Sequence, residues 1–290
     1  VTTPGTETLA AEALAKGLQI RHVRTHEEFL ACVELQMATW GEGFREAVPA
    51  SMLKITQRLG GVTAGAFAED GTLLGFIYGI TGVENGTIVH WSDLLAVDAR
   101  MQNHGLGRQL KEFQREAARA TGATRMYWTY DPLVARNAHF NLNRLGARVA
   151  EYVPNMYGTN TGSTLHSGVG TDRFVVVWPL APEEERRTAP APRVLDAPIL
   201  NDGAADGRAV DLPRLVASPP PSARIEVPAD IFRVLDESIA RAAHWRTTTR
   251  EAFQWALANG YSVDGFQRDD EADRGFYLLN RTSSAAPAVP

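Results

Sequence analysis

Apolar positions along the chain alternate with a period near two in some stretches and near 3.6 in others, and the switches between the two lay out the elements. LQIRHV (18–23) reads as a strand. Thr25 followed by Glu28 forms a capping box that opens a helix reaching about Trp40, and Pro49 starts a second helix that runs to Arg58. GVTAGAFAED and TLLGFIYGIT are two strands around an Asp70-Gly71 turn, and Asn85-Gly86 turns the chain into a third, TIVHWSDLLAVD (87–98). Leu106, Leu110 and Phe113 then recur at helical spacing, and this helix runs to about Ala120 and stops at Gly122. RMYWTY (125–130) is a buried strand that Pro132 ends. Asn137 to Leu145 is a helix stopped by Gly146. ARVAEYV and DRFVVVWPL are strands separated by a long polar loop, 154–172.

Residues 181–223 change character, with EEERRTAPAPR and SPPPSAR rich in Pro, Ala and charge. They read as a linker or wrapping segment, with a weak strand at RVLDAPIL. Order returns at IEVP, followed by helices at 228–243 and 246–259, Gly260, and the strands YSVDGFQRD and RGFYLLNR. The tail repeats an earlier order of helix, glycine stop, strand, loop, strand: compare NAHFNLNRLGARVAEYV…DRFVVVW with REAFQWALANGYSVDGFQRD…RGFYLL. It is either a partial second copy of that unit or an unrelated helix–hairpin. The expected organisation is a leader (1–17), a main domain (18–180), the Pro/Ala-rich segment (181–223), a helix–hairpin extension (224–282) and a disordered tail (283–290).

Composition narrows the function classes. At 290 residues and 44% apolar the chain can bury a sizeable core, and a formal net charge of -5 gives no basic field for nucleic acid. The single cysteine, Cys32, excludes a disulfide framework or a cysteine zinc site and sits in an apolar helix as core filler. No apolar run approaches a membrane span, and VTTPGTETLAAEALAKG has no signal-peptide pattern, so a cytoplasmic location is expected and the sequons at Asn85 and Asn280 are chance matches. His22 and His26 are four apart, but His22 ends a strand; both read as surface residues, and no metal is expected.

The chemistry concentrates at QNHGLG (102–107), between the apolar run LLAV and a helix. Backbone N–H groups at a helix N-terminus suit a pyrophosphate, and glycine lets it approach. Gly105-x-Gly107 lacks the third glycine of the dinucleotide fingerprint and the Gly-Lys-Ser/Thr of the P-loop. Gln-x-x-Gly-x-Gly after a strand ending L-A-V-D resembles the acyl-CoA motif of the Gcn5-related N-acetyltransferases (GNAT), and the element order of residues 18–180 and the segment NAHFNLNRLGA (137–147) add to the likeness. WTYDPLVARNAHFNLNRLGA, PNMYG, GTDRF and WRTTTREAFQWALANGY together resemble a subgroup of predicted acyltransferases, some of which are amino-acid N-succinyltransferases. The fold this implies is α/β of the α+β type: a mixed, mostly antiparallel central sheet flanked by helices, with the C-terminal helix–hairpin extension.

The resemblance implies an acyl-CoA co-substrate, acetyl-CoA or succinyl-CoA, bound by backbone of Gln102, Asn103, His104, Gly105, Leu106, Gly107 and Arg108. Arg100 and Arg108 would pair with its phosphates, and Leu95, Ala96 and Val97 with the pantetheine arm, an N–H near Leu95 polarising the thioester carbonyl. Asn137 and Phe140 would line the exit side; Asn137 reads equally as a helix N-cap. The family's usual acid, a tyrosine four residues before the Leu-Gly glycine, is Leu142 here. Tyr157 is the first substitute, ahead of Tyr130 and Tyr152, which read as packing residues. His90 and Asp93 are candidate bases, and their odd spacing puts them on opposite faces of a regular strand. His90 reads equally as a hydrogen-bonded sheet residue. Arg173 would read a carboxylate of the substrate or close an ion pair at a strand start, and loop 158–171 would form a lid.

The expected acceptor is a small-molecule amine or an amino acid; no nucleic-acid or membrane partner is expected, and a homodimer is compatible with the reading. Acylation of a protein N-terminus or lysine, and acyl-CoA binding without catalysis, are the rival readings; Leu142 speaks for the last.

Overall fold

The first helix starts on the box its sequence encodes: Thr25 Oγ1 accepts from Glu28 N at 3.3 Å, and Glu28 Oε2 accepts from Thr25 N at 3.4 Å. Arg21 grips the same carboxylate at 2.7 and 3.0 Å and, with these bonds, holds its pKa down at about 2. The computed structural model describes residues 17–158, 169–180, 196–207, 219–269 and 271–281. The expected leader, most of the lid loop, much of the Pro/Ala-rich segment and the terminal tail lie outside the described residues.

The chain divides into two compact units, the first built mainly from residues up to Trp128 and the second from Thr129 onward. In the first, β1 (Gln19–His22), β2 (Val62–Phe67), β3 (Leu73–Glu84) and β4 (Thr87–Val97) pair antiparallel in sequence order, and β5 (Arg125–Tyr130) joins β4 in parallel. The parallel step follows from the helix between them, α3 (Leu106–Ala120), which carries the chain back across the sheet. On one face, Phe29 and Cys32 of α1 (His26–Trp40) and Leu53 of α2 (Ala50–Arg58) pack on Phe67, Phe76, Tyr78, Leu94 and Ala96. On the other, Leu106 and Leu110 of α3 pack on Val62, Ala64, Leu74 and Ile77. Cys32 is fully buried and its thiol is pushed up to about 12 by burial, which suits core filler and not a nucleophile.

In the second unit the end of β5 leads to α4 (Ala135–Ala138), a π-helical turn at His139–Arg144, β6 (Arg148–Val153) and β7 (Arg173–Pro179), in the order β5-β7-β6. Then come β8 (Ser222–Pro228), α5 (Ile231–Glu237), α6 (Ile239–Ala258), β9 (Tyr261–Asp269) and β10 (Arg274–Arg281), in the order β8-β10-β9. The two halves follow one path: strand, helix, then a hairpin whose second strand inserts between its partners. Both helical segments stop at a left-handed glycine, Gly146 (φ 67°) and Gly260 (φ 78°). Both hairpins carry a bulge at the same offset, skipping Ala150 and Asp264, four residues past each glycine. That register makes Phe174 and Tyr277 equivalent, and Phe253 of α6 packs its ring against both, at 4.7 and 5.0 Å.

Helix limits depart from expectation twice. The break in the C-terminal helices falls at Ser238, whose hydroxyl caps Arg241 N at 3.3 Å, and not near residues 244–245. The threonine run 247–249 stays helical because its hydroxyls bond back to preceding carbonyls, as Thr249 does to Trp245 at 2.7 Å. The expected helix 137–145 begins earlier, at Ala135, and widens into the π turn, where Asn141 Nδ2 bonds Asn137 O at 2.9 Å.

The α6 run WRTTTR places Arg246 and Arg250 one turn apart on one face. Arg246 holds Asp131 through two nitrogens at 2.9 and 2.5 Å, and Arg250 holds Asp172 at 2.8 and 2.6 Å. Tyr152 Oη and Asn155 N also donate to Asp172. Burial raises the Asp172 carboxyl, but Arg250, Tyr152 and Asn155 outweigh it and keep its pKa below the usual carboxylate range. The helix–hairpin tail thus supplies the countercharge for aspartates that follow β5 and precede β7, so the second compact unit spans both sides of the Pro/Ala-rich segment. Arg246→Met is expected to cost about 3 kcal/mol in urea unfolding by removing the two-pronged partner of the largely covered Asp131 and leaving it only the longer contact to Arg173; Arg246→Lys, which cannot make the two-pronged contact, should lose a smaller amount in the same direction.

Candidate active site

Strands β4 and β5 pair only over Val89–Trp91 and Arg125–Tyr127, and β4 then continues for six residues, Ser92–Val97, with no partner on that side among the described residues. The cause lies in β4 itself: its register against β3 slips between Leu94 and Ser92, leaving Asp93 as a bulge, and bulges raise local twist. The result is a fork with exposed backbone along Leu95, Ala96 and Val97. Ser92, Leu95 and Val97 turn to the α3 face, while Leu94 and Ala96 turn to the α1/α2 face.

Alongside that free edge runs the N-terminus of α3. Asn103 (φ 65°) and Gly105 (φ 80°) are left-handed and fold the loop back on itself. No side chain caps the helix, and its first turn closes only when Arg108 N and Gln109 N reach Gly105 O at 3.1 and 3.2 Å. The N–H groups of Leu106 and Gly107 therefore have no intrahelical acceptor and point outward with the positive end of the helix dipole. The two glycines serve different needs. Gly105 occupies a conformation that a side chain resists, although a Cβ there meets nothing within 4 Å. Gly107 is helical, and a Cβ there would make only ordinary contacts with Leu95 and Val97 at 3.7 and 3.9 Å. No contact among the described residues requires Gly107 to be bare, and glycine in a helix costs about 0.5–1 kcal/mol against alanine. The open face of the turn is what the missing side chain leaves clear.

Residues 29–146 match the family model of the acetyltransferase (GNAT) family, a stretch that takes in the fork, the glycine turn and the segment ending at Gly146. The likeness to that family covers this stretch of the chain. A search of the curated proteins finds no match. Solved structures similar to the chain include the NatC complex bound to Gag peptide and CoA (15% identical, 57% of this chain and 99% of that one, TM-score 0.45). Others are an aminoglycoside 6'-acetyltransferase type Ii (17%, 57% and 98%, TM-score 0.45) and Chaetomium thermophilum Naa20 with a bisubstrate analogue (18%, 58% and 90%, TM-score 0.46). Among the described residues no helix is long and apolar enough to cross a membrane.

Around the fork the candidate side chains separate. Asp93 is exposed on the bulge, yet crowding by the surrounding chain, and then Glu46, raise its carboxyl pKa. His90 is fully buried on the α3 face. Thr81 Oγ1 donates to Gly60 O at 2.7 Å and so accepts from His90 Nδ1 at 2.9 Å, which leaves Nε2 as a bare lone pair. Burial, and then the nearby Lys111, push the imidazole down to about 4. Of the two candidate bases Asp93 alone faces solvent. Arg100 is turned onto Asp98 at 2.7 and 2.8 Å, and Arg108 lies 3.8 Å from Glu112; both remain exposed beside the glycine turn. His104 Nδ1 meets Gln102 O at 2.7 Å, which tightens the turn.

The remaining candidates belong to the second unit. Tyr157 is exposed, with its hydroxyl 3.0 Å from Thr129 Oγ1 and the Arg173 guanidinium 5.3 Å from its ring centre. Arg173 is buried; it donates to Asp172 O at 2.8 Å and lies 3.5 Å from Asp131, so the ion-pair reading describes its place. Asn137 lies inside α4 and not at its cap, which is Val134, because the helix starts two residues earlier. Phe140 and Leu142 lie half-buried in the π turn. Tyr130 and Tyr152 are core residues, their rings tilted and edge-on, respectively, against Phe174.

Sequence reasoning missed Ser92, Lys111 and Gln114, which lie on the inner side of α3 and the strand beneath it. The signal was present: Gly107, Lys111, Gln114 and Ala118 follow helical spacing along the edge of the apolar stripe. His90 provides a test of the burial. The unfolded chain takes up the imidazole proton near pH 6.5 and the folded protein only near 4, so this group's stabilisation is complete above 6.5 and lost as pH falls to 4. Denaturation of wild type and His90→Asn across this range should show the stability gap between them narrowing by about 3 kcal/mol as pH drops.

Proposed function

We propose that this protein is an acyl-CoA-dependent N-acyltransferase that moves an acetyl or short acyl group, such as succinyl, to the amine of a small molecule or amino acid. The observation that carries the reading is Gly107: a bare helical position with room for a side chain, at an uncapped helix start, beside the unpaired edge of β4. A CoA pyrophosphate would take the N–H groups of the turn from Gln102 to Arg108, and the pantetheine amides would pair with β4 backbone at Leu95–Val97 as a missing strand would. A backbone N–H near Leu95 would then polarise the thioester carbonyl, with most effect when the oxygen becomes negative.

Attack needs a neutral amine. Asp93 stands on the opposite side of the opened sheet from the α3 face, exposed, with its carboxyl raised by its surroundings and Glu46, so it is suited to accept the proton of an arriving ammonium. Glu46 adds negative charge that draws a cationic acceptor. The nitrogen then forms the C–N bond, the C–S bond breaks with its electron pair on sulfur, and the proton that nitrogen sheds neutralises the thiolate. Tyr157, exposed on the second unit, stays the first side chain to examine for delivering that proton, since the usual tyrosine position holds Leu142.

Gly107→Ala separates ligand binding from folding. The variant should unfold at equal or slightly higher urea, by about 0.5–1 kcal/mol, because alanine favours the helix. Its calorimetric affinity for CoA should fall at least tenfold. Equal affinity in the two proteins would exclude the turn as the pyrophosphate site. Thiol release from acetyl-CoA and succinyl-CoA with a panel of amines and amino acids then tests transfer, and CoA binding without amine-stimulated release would favour a non-catalytic binder.

A further inference from the structure

Lys111 is the one lysine among the described residues that the fold places on a buried face, and its surroundings are those of the fork. It is 3% exposed, and no carboxylate among the described residues pairs with it. Its Nζ donates to Ser92 Oγ at 2.7 Å and lies 4.1 Å from the centre of the Trp128 ring. Ser92 and Trp128 are the first residues beyond the last paired positions, Trp91 and Tyr127. Lys111 is therefore bracketed by one residue from each arm, at the closed end of the gap.

A buried ammonium without a countercharge is costly, and burial pushes this amine well below its ordinary pKa. The floor around it is equally short of partners. Gln114, next along the same helix face, has neither amide atom bonded, and His90 Nε2 is also unpartnered. A Cβ on Gly79 would come within 2.4 Å of His90 Nε2 and 2.6 Å of Gln114 Nε2, so only glycine fits opposite the bulge. An apolar helix edge would be cheaper at every one of these positions. The polar floor yields one directed product. Because Ser92 Oγ accepts from Lys111, its own hydrogen remains to donate, at the first position where the strands part.

The geometry points to Ser92 as a hydrogen-bond donor to the sulfur of the acyl donor, with Lys111 as the positioning residue that fixes the hydroxyl. This rests on the acyl-CoA reading above, in which the pantetheine arm runs along Leu95–Val97 toward the closed end of the fork. A hydroxyl there interacts weakly with a thioester sulfur and strongly with the thiolate that forms as the C–S bond breaks, so it lowers the barrier without tightening ground-state binding. Ser92 and Lys111 end the reaction unchanged; the proton that neutralises sulfur is the one lost by the acceptor nitrogen.

The test uses the full chain with acetyl-CoA and whichever amine wild type acylates. Ser92→Ala and Lys111→Met should each lower kcat 10- to 100-fold while the calorimetric Kd for CoA stays within threefold. The double variant should be no slower than the slower single one, and Ser92→Thr, which keeps the hydroxyl, should recover most of kcat. An unchanged kcat in Ser92→Ala, a parallel loss of CoA affinity, or multiplicative effects would overturn the assignment. Should Lys111→Met fail to fold, the Ser92 pair decides alone. A wild type that transfers while Ser92→Ala matches it refutes only the role of Ser92; a wild type that binds CoA and acylates no amine refutes the acyltransferase reading, and this assignment with it.

Discussion

The parting of β4 from β5 is the constraint from which the rest of the first unit follows. Three pairs of residues hold the strands together, and a single extra residue, Asp93, turns β4 away. Had the pairing continued, the backbone of Leu95–Val97 would be consumed by the sheet and the N-terminus of α3 would face a closed surface. The bulge also sorts side chains. Across it, Ser92 keeps to the α3 face with His90, and Asp93 goes to the other, so the acidic group and the buried lysine are separated by the sheet itself. One side of the opening thus carries the outward N–H groups of the α3 turn, and the other an exposed carboxyl.

The second unit solves a different problem. Aspartates at the end of β5 and the start of β7 are held by arginines that arrive more than a hundred and about eighty residues later in the chain, respectively. Removing an ion from water is repaid only where geometry and hydrogen bonding are complete, and here both carboxylates are bound through two nitrogens. Phe253, lodged between the equivalent rings of Phe174 and Tyr277, adds an apolar link in the same helix. The tail is for this reason part of the unit's core and not an appendage. The matching path, strand order and bulge offset of its two halves explain how one helix serves both hairpins.

Much of this was legible in the residues. The meander was marked by Asp70-Gly71 and Asn85-Gly86, the first helix by Thr25 and Glu28, and the glycine turn by its place between LLAV and an amphipathic stripe. These signals are local, and local signals survive without tertiary information. The burial of His90 was not legible, because a strand's alternation says which residues share a face but not which face is covered. The same limit hid Lys111: spacing placed it beside the apolar stripe, but a lysine there ordinarily extends its stem and keeps its charge in water. The ion pairs of Arg246 and Arg250 depend on residues distant in sequence, and no periodicity reports them. The helix break at Ser238 was displaced from its expected place at 244–245, since His244 and Trp245 continue one helix and the hydroxyl of Ser238 caps its start.

Gly105 and Gly107 show how far such reading can go. Both looked alike in QNHGLG. One is demanded by the backbone, since this turn enters the helix through a left-handed residue; the other is demanded by no contact among the described residues. A residue that weakens its own helix and fills no tight space carries a constraint from outside the protein, and the only groups it exposes are backbone N–H donors at a positive helix end. The same logic separates Lys111 from an ordinary core position. An apolar side chain would pack there at less cost, so the polar floor beneath the fork is a second position where the fold accepts an unfavourable residue. Two unfavourable choices, one in the turn and one on the inner face of α3, lie within a helical turn of each other along the same helix and border the same free strand edge. Their agreement is the physical ground on which the proposed donor site rests.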